Sequence, residues 1–218
     1  MEPNTRYADL TLAQFEEHLA SAEPVPGGGS ASAIAGSMAA SLLAMVSRLS
    51  TDRPKYAAYA ATHARTLAVA EAARPRLLQF ADDDATAFAA FAAARKMPRD
   101  TDQEQHARDA ATQAAARQAS DIPLAVVREC VEILESVEAM AGRSNLNASS
   151  DLEVAARLAG AAARGAAANV MINLPSVGDD RYAGVTRLEV TELIEDIDRL
   201  TAQVSQTVAS GGLREPEA

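Results

Sequence analysis

The sequence predicts an all-α protein, a single-domain antiparallel helical bundle with long, partly kinked helices. Three observations lead there. Of the 218 residues, 48% are hydrophobic but only 4% are aromatic, and tryptophan is absent. A core built from Ala, Leu, Val, Ile and Met suits close-packed helices, because Ala is the strongest helix former and strands draw on β-branched and aromatic residues. Apolar residues recur at spacings of three and four, the period of an amphipathic helix. Start and stop signals divide the chain into successive helices, with no internal repeat and no composition shift that would mark a second domain. The expected domain covers residues 1–208, with 209–218 as a disordered tail.

The elements follow in order. Thr11 and Gln14 form a capping-box pair for a first helix ending near Ala20, and Leu10 can staple onto Phe15. "PVPGGGSASAIAGSMAASLLAMVSRLS" at 24–50 leads into a second helix whose large residues, Ile34, Met38, Leu42, Met45 and Leu49, form one stripe. A long helical pattern runs from Lys55 to Lys96, and Pro75 within it predicts a kink or a restart. A helix begins near Thr101 or Asp102, with Pro123 as a second expected break or kink and Gly142 in the place of a C-terminal cap. Ser150 and Glu153 read as another capping box, opening an alanine-rich helix over 151–173. The last helix repeats Val190, Ile194, Ile197, Val204 and Val208, a narrow stripe fit for a bundle or a partner helix.

Bulk properties exclude several functions. Thirty acidic against twenty basic residues give a formal charge of −10, which opposes nucleic-acid binding through clustered cations. The single cysteine, Cys130, cannot form an intrachain disulfide. His18, His63 and His106 lack metal-ligand spacing, so no metal is expected. The N-terminus has no basic-then-apolar leader, and the apolar runs are interrupted by charges or built of alanine, so no membrane span is expected. The expected location is the cytoplasm.

Three groups of residues can carry chemistry. Gly27, Gly28 and Gly29 follow Pro26 and precede Ser30 at a helix start. No Gly-Lys-Ser/Thr follows, as a P-loop requires, and no strand precedes, as a dinucleotide fingerprint requires. What remains is bare backbone N–H at a helix N-terminus, suited to an anion or a flat polar ligand, or else to a tightly packed turn. Asp82, Asp83 and Asp84 stand in a row within an apolar helix. At 100° per residue one of them can face inward, and an inward carboxylate beside Phe88 has the raised pKa a general acid–base needs. A solvated acidic patch is the plainer reading of such a run. Asn145 and Asn147 lie in a polar loop before Asp151, and Asn169 and Asn173 share a helix face. Buried amides need partners, which a ligand or a neighbouring backbone could supply.

Taken in order, "PVPGGGSASAIAGSMAASLLAMVSRLS", "KY" at 55–56, "DDATAFAAF", "KMPRDTDQEQHARDAATQAA", "SDIPLAVVREC", "NLNASSD" and "NVMINL" resemble the cyclodeaminase/cyclohydrolase family. That family comprises formimidoyltetrahydrofolate cyclodeaminases and methenyltetrahydrofolate cyclohydrolases, and the resemblance spans roughly residues 9–208. It implies an all-helical homodimer that takes a reduced folate as substrate, with no metal or redox cofactor. By resemblance, Pro26, Gly27, Gly28, Gly29 and Ser30 match a folate-site loop, and Asn145, Asn147, Asp151, Asn169 and Asn173 match polar positions. Asp84 matches the acidic residue of "D-x-x-A-F", Asp83 matches some members, and Lys55 matches the end of a lysine-rich segment. Arg48, Arg53-Pro54 and Pro75 depart from the family's pattern.

The resemblance implies water attack on the bridging carbon of 5,10-methenyltetrahydrofolate to give 10-formyltetrahydrofolate. Asp84 would move the proton, and Lys55 would bind a folate carboxylate or tune Asp84. Ring closure of formimidoyltetrahydrofolate with loss of ammonia uses the same ring system. A reading of another class is an inactive helical dimerisation module.

Overall fold

The structure, a computed structural model, describes residues 6–216, which form six α-helices and no strand. A short 3-10 turn at Tyr7–Asp9 precedes α1 (Leu12–Leu19), which opens on the expected Thr11–Gln14 capping box. The long helices are α2 (Gly28–Ser50), α3 (Ala60–Arg95), α4 (Asp102–Met140), α5 (Ser149–Asn173) and α6 (Asp180–Ser210). A second capping box, Thr101 with Glu104, opens α4.

Helices α2, α3, α4 and α5 form a four-membered ring in which each packs most extensively on its two neighbours, and α6 covers α4 and α5. Short connections between long helices favour antiparallel neighbours, and named contacts show it. Along α2 and α3, Ser30 Oγ lies 2.9 Å from the Ala81 carbonyl, Ser37 Oγ 3.2 Å from that of Arg74, and Ser47 Oγ 3.1 Å from Thr66 Oγ1. Along α2 and α5, Gly28 faces Asn169 and Ser32 faces Gly165, while the Asn145 N–H, just ahead of α5, donates to Ser50 Oγ at the far end of α2.

The core is made of small residues. α2 buries Ala33, Ala39, Ala40, Leu43, Ala44 and Val46, and α5 buries Ala155, Ala156, Ala159, Ala162, Ala163 and Ala166. Backbones approach where side chains are short, and the buried hydroxyls of Ser47 and Ser50 are satisfied by carbonyls one turn back, as buried polar groups must be. α2 therefore turns its large residues outward: Met38, Met45 and Leu49 are 52%, 36% and 39% exposed. By length and hydropathy α2 could cross a membrane, yet most of its apolar window is buried inside the bundle.

Several local expectations are narrowed or corrected. Pro75 and Pro123 lie inside continuous helices, so neither starts a new one; burial of α3 and α4 in the ring offsets a cost of about 3 kcal/mol per internal proline. α5 has no capping box: Ala148 is its N-cap, and Glu153 instead accepts from Ser205 and pairs with Arg157. The segment 55–59 is a 3-10 turn, Pro54–Tyr59, rather than the start of α3.

Helix α6 extends two residues into the tail expected from 209. α6 reaches Ser210 and ends on Gly211 at φ 66°, where only glycine is unstrained. Beyond it the Arg214 N–H donates to the Gly142 carbonyl (2.7 Å), the Arg214 guanidinium pairs with Glu138 (2.6 Å), and Tyr59 Oη donates to the Arg214 carbonyl (2.7 Å). Residues 217–218 lie outside the described residues.

Candidate active site

At the N-terminal end of α2, Pro24 to Gly27 form a loop and Gly27 caps the helix without a side-chain hydrogen bond. The first N–H groups of α2 are thus left without intrahelical partners. Across from them runs α3, with Asp82, Asp83 and Asp84 each turned to a different neighbour. Asp82 Oδ1 accepts the Tyr7 N–H at 2.7 Å and pins the N-terminal segment. Asp83 Oδ1 accepts from Gln79 at 2.9 Å on the exposed side of α3. Asp84 alone points at α2, where its Oδ2 lies 3.2 Å from Ser30 Oγ.

Gly29 is what admits it. A Cβ built on Gly29 would overlap the Asp84 carboxylate, whereas one on Gly28 would stand 3.5 Å from Asn169 Nδ2, an ordinary contact. Of the three glycines, Gly29 is the one that close approach requires. Burial pushes the Asp84 carboxyl above the usual carboxylate range, while hydrogen bonds from the Ser30 side chain and backbone act the other way. Desolvation outweighs the donors, and the carboxyl holds its proton more tightly than an exposed aspartate does.

Asp84 faces a cleft of about 420 Å³ bounded by Pro24, Val25 and Gly27–Gly29 on one side. Phe88, Phe91 and Arg95 continue the α3 wall, and Asn169, Ile172 and Asn173 of α5 form the third. Asn173 Nδ2 donates to the Ala119 carbonyl (2.7 Å) and Asn169 Nδ2 to that of Gly165 (2.8 Å), so both amides are held in place by backbone.

The structure therefore gathers Gly27, Gly28, Gly29, Ser30, Asp84, Asn169 and Asn173. Pro26 is buried behind the loop rather than lining the cleft. Asp83 faces away. Lys55, Asn145, Asn147 and Asp151 lie at the other end of α2, roughly 33 Å away at 1.5 Å per residue. There Asn145 holds Ser50 and its Oδ1 accepts the Asn147 N–H at 3.2 Å. The Leu146 N–H donates to Tyr56 Oη (3.3 Å), and Lys55 Nζ stands 5.4 Å from the Tyr56 ring centre. A second cleft of about 430 Å³, lined by residues including Asp52, Arg53, Tyr56 and His63, opens at this end.

Phe91, Arg95 and Ile172 were not singled out from the sequence. The signal was present on α3: residues 84, 88, 91 and 95 are spaced four, three and four, one continuous helix face.

A family model described as "Formiminotransferase-cyclodeaminase" matches residues 11–192. The methenyltetrahydrofolate cyclohydrolase of Methylorubrum extorquens is 38% identical over 200 residues, covering 92% of this chain and 96% of that protein. The formimidoyltransferase-cyclodeaminase of Sus scrofa is 33% identical over 88% of this chain, which spans only 37% of its length. In three dimensions the chain is similar to the crystal structure of formiminotetrahydrofolate cyclodeaminase from Thermotoga maritima, with a TM-score of 0.84, 27% identity and coverage of 93% and 98% of the two chains. On the extent of these matches, and with the glycine turn and the inward aspartate assembled as described, the chain belongs to the formiminotransferase-cyclodeaminase family.

Proposed function

We propose that the chain hydrolyses 5,10-methenyltetrahydrofolate to 10-formyltetrahydrofolate, with Asp84 as the proton-transferring group. The observation that carries this reading is the half-buried Asp84 carboxyl, raised above its ordinary range and held against the bare Gly29 in an open cleft. The similarity to a methenyltetrahydrofolate cyclohydrolase over nearly both chains supports it.

The bridging carbon of the substrate is an amidinium-type cation and already electrophilic. A water oxygen bonds to that carbon while Asp84 takes one of its protons. The tetrahedral adduct then breaks the carbon–N5 bond, and Asp84 returns the proton to N5 as it leaves. The hydroxyl proton departs as the formyl carbonyl forms, so one proton is released per turnover. Such general acid–base help is worth roughly 10²–10⁴-fold. The Ser30 hydroxyl and backbone N–H fix the carboxyl, and the glycine N–H groups at the start of α2, which have no intrahelical acceptor, offer donors to polar atoms of the pterin.

A second reading, closure of formimidoyltetrahydrofolate with release of ammonia, is favoured by the structural similarity to a cyclodeaminase. The purified chain offered each folate separately distinguishes the two. Hydrolysis predicts loss of methenyl absorbance with no ammonia, while ring closure predicts its gain with stoichiometric ammonia. An inactive dimerisation module predicts neither, and no thermal stabilisation by a folate.

The protein also acts, in this reading, as a homodimer. Met38, Leu42, Met45 and Leu49 on α2, and Val154, Leu158, Ala161 and Ile172 on the adjacent antiparallel α5, make one outward apolar face. A two-fold axis across the middle of that face would exchange the two ends of α2. The partner's Lys55, Asn145, Asn147 and Asp151 would then approach the Asp84 cleft, which accounts for site residues of one family pattern lying at opposite ends of one subunit. Met38→Lys with Met45→Lys should give a monomer by sedimentation and lose turnover; an active monomer contradicts the composite site.

A further inference from the structure

We infer that Arg95 is the carboxylate anchor of the cleft and sets its preference for substrates carrying a glutamyl tail; this rests on the folate reading above. Along one face of α3 the cleft presents a carboxyl (Asp84), a ring (Phe88), a second ring (Phe91) and a guanidinium (Arg95). Phe88 is 42% exposed, an apolar surface that a flat ligand would cover. The Arg95 guanidinium folds back over the Phe91 ring, 5.8 Å from its centre, as helical side chains lean toward the N-terminus. It therefore stands near the level of residue 91, about 10 Å along the axis from Asp84 at 1.5 Å per residue.

A reduced folate has the same order. From its bridging one-carbon unit, the aminobenzoyl ring and then the glutamyl α-carboxylate follow, and summed bond lengths place that carboxylate about 10 Å away. With the reacting carbon at Asp84, the aminobenzoyl ring falls beside Phe88 and Phe91 and the carboxylate meets Arg95. Arg95 is the one cation that this subunit's own residues bring to the cleft lining, and no carboxylate among the described residues occupies it. Its fork matches a carboxylate bidentately. The distance also keeps its charge away from the cationic reacting carbon. A helix-end cation that merely complements the α3 dipole is the alternative the experiment separates.

The test compares 5,10-methenyltetrahydrofolate with 5,10-methenyltetrahydropteroate, which lacks the glutamate, in the wild type, Arg95→Ala and Arg95→Lys. Equilibrium binding of the non-reacting tetrahydrofolate and tetrahydropteroate is measured beside turnover. The wild type should favour the glutamyl ligand by about 10- to 100-fold in KM and in Kd, the range expected for a charge-assisted hydrogen bond. Arg95→Ala should reduce that preference to about twofold or less with kcat changed far less than KM, and Arg95→Lys should restore part of it. A wild type with no preference, or a preference that survives in Arg95→Ala, overturns the assignment while leaving the folate reading intact if turnover persists. Glutamate-dependent binding lost in Arg95→Ala without any turnover sinks the reaction and sustains the anchor. Binding of neither ligand overturns both.

Discussion

The two ends of α2 treat their polar groups in opposite ways. At the C-terminal end, side chains accept the backbone N–H groups of the segment that leads into α5: Ser50 Oγ from Asn145, Tyr56 Oη from Leu146, and Asn145 Oδ1 from Asn147. At the N-terminal end Gly27 offers no capping side chain, and a carboxylate from another helix occupies the space a side chain would have filled. One end spends its polar groups on internal closure. The other keeps donors and a titratable group turned toward a cleft. Where a fold turns its polar groups toward a cleft instead of closing them off, chemistry becomes possible, and substitutions at the two ends should therefore show up in different measurements.

The largest contrast is expected from glycine. Gly29→Ala should displace the Asp84 carboxylate and lower turnover by about 10²-fold, the scale expected when a reacting group moves by about an ångström. Gly28→Ala, whose added methyl meets only an ordinary contact, should lower it far less. Steady-state kinetics on both variants checks this, and equal losses would mean that the loop as a whole, rather than the Gly29–Asp84 approach, matters. At the other end Ser50→Ala should act on stability instead. It leaves the buried Asn145 N–H unpaired, at a cost of about 1–3 kcal/mol, readable as a lower urea midpoint. An unchanged midpoint would remove the closure attributed to that end.

The smallest effect is a pH dependence. Because the folded-state pKa of Asp84 is raised by burial, the folded chain holds its proton more tightly than the unfolded chain. Below the unfolded-state pKa both states are protonated and the group's contribution is fully present; it is lost as pH rises through the folded-state value. Asp84→Asn should therefore melt above the wild type at neutral pH, and the gap should close on acidification. A variant that melts below the wild type at neutral pH would show that ionised Asp84 is net stabilising.

Local signals were legible in the sequence because they depend on neighbouring residues alone. The Thr11–Gln14 cap formed as its spacing requires, and α4 starts where a helix is expected, near Thr101 or Asp102. Helix geometry allows one of three successive carboxylates to face inward without saying which; the family resemblance points to Asp84, and it is Asp84 that faces α2. The orientation of α2 was not legible. Its large residues mark an amphipathic stripe, but the inner surface belongs to alanines and serines, because close approach to α3 and α5 leaves no room for methionine. Ser150 and Glu153 had the right spacing for a cap, yet tertiary partners on α6 took Glu153. The strap at Arg214 depends on Gly142, Glu138 and Tyr59, all distant in sequence. The separation of Lys55 and Asn145 from the Asp84 cleft was hidden for a similar reason: a motif's order along the chain carries no distance, and α2 sets the two groups at its opposite ends. Arg95 carries no sequence signal of its own, because a cation in the last turn of a helix complements the dipole whether or not a cleft lies beside it.

The most direct test is turnover of 5,10-methenyltetrahydrofolate by Asp84→Asn beside its equilibrium binding of tetrahydrofolate. Asparagine keeps the shape and can still bond to Ser30, but it cannot move a proton. Turnover lower by roughly 10²–10⁴-fold, with folate affinity within a few-fold of the wild type, is the predicted result. Turnover at the wild-type rate would contradict the proton shuttle at the centre of this mechanism.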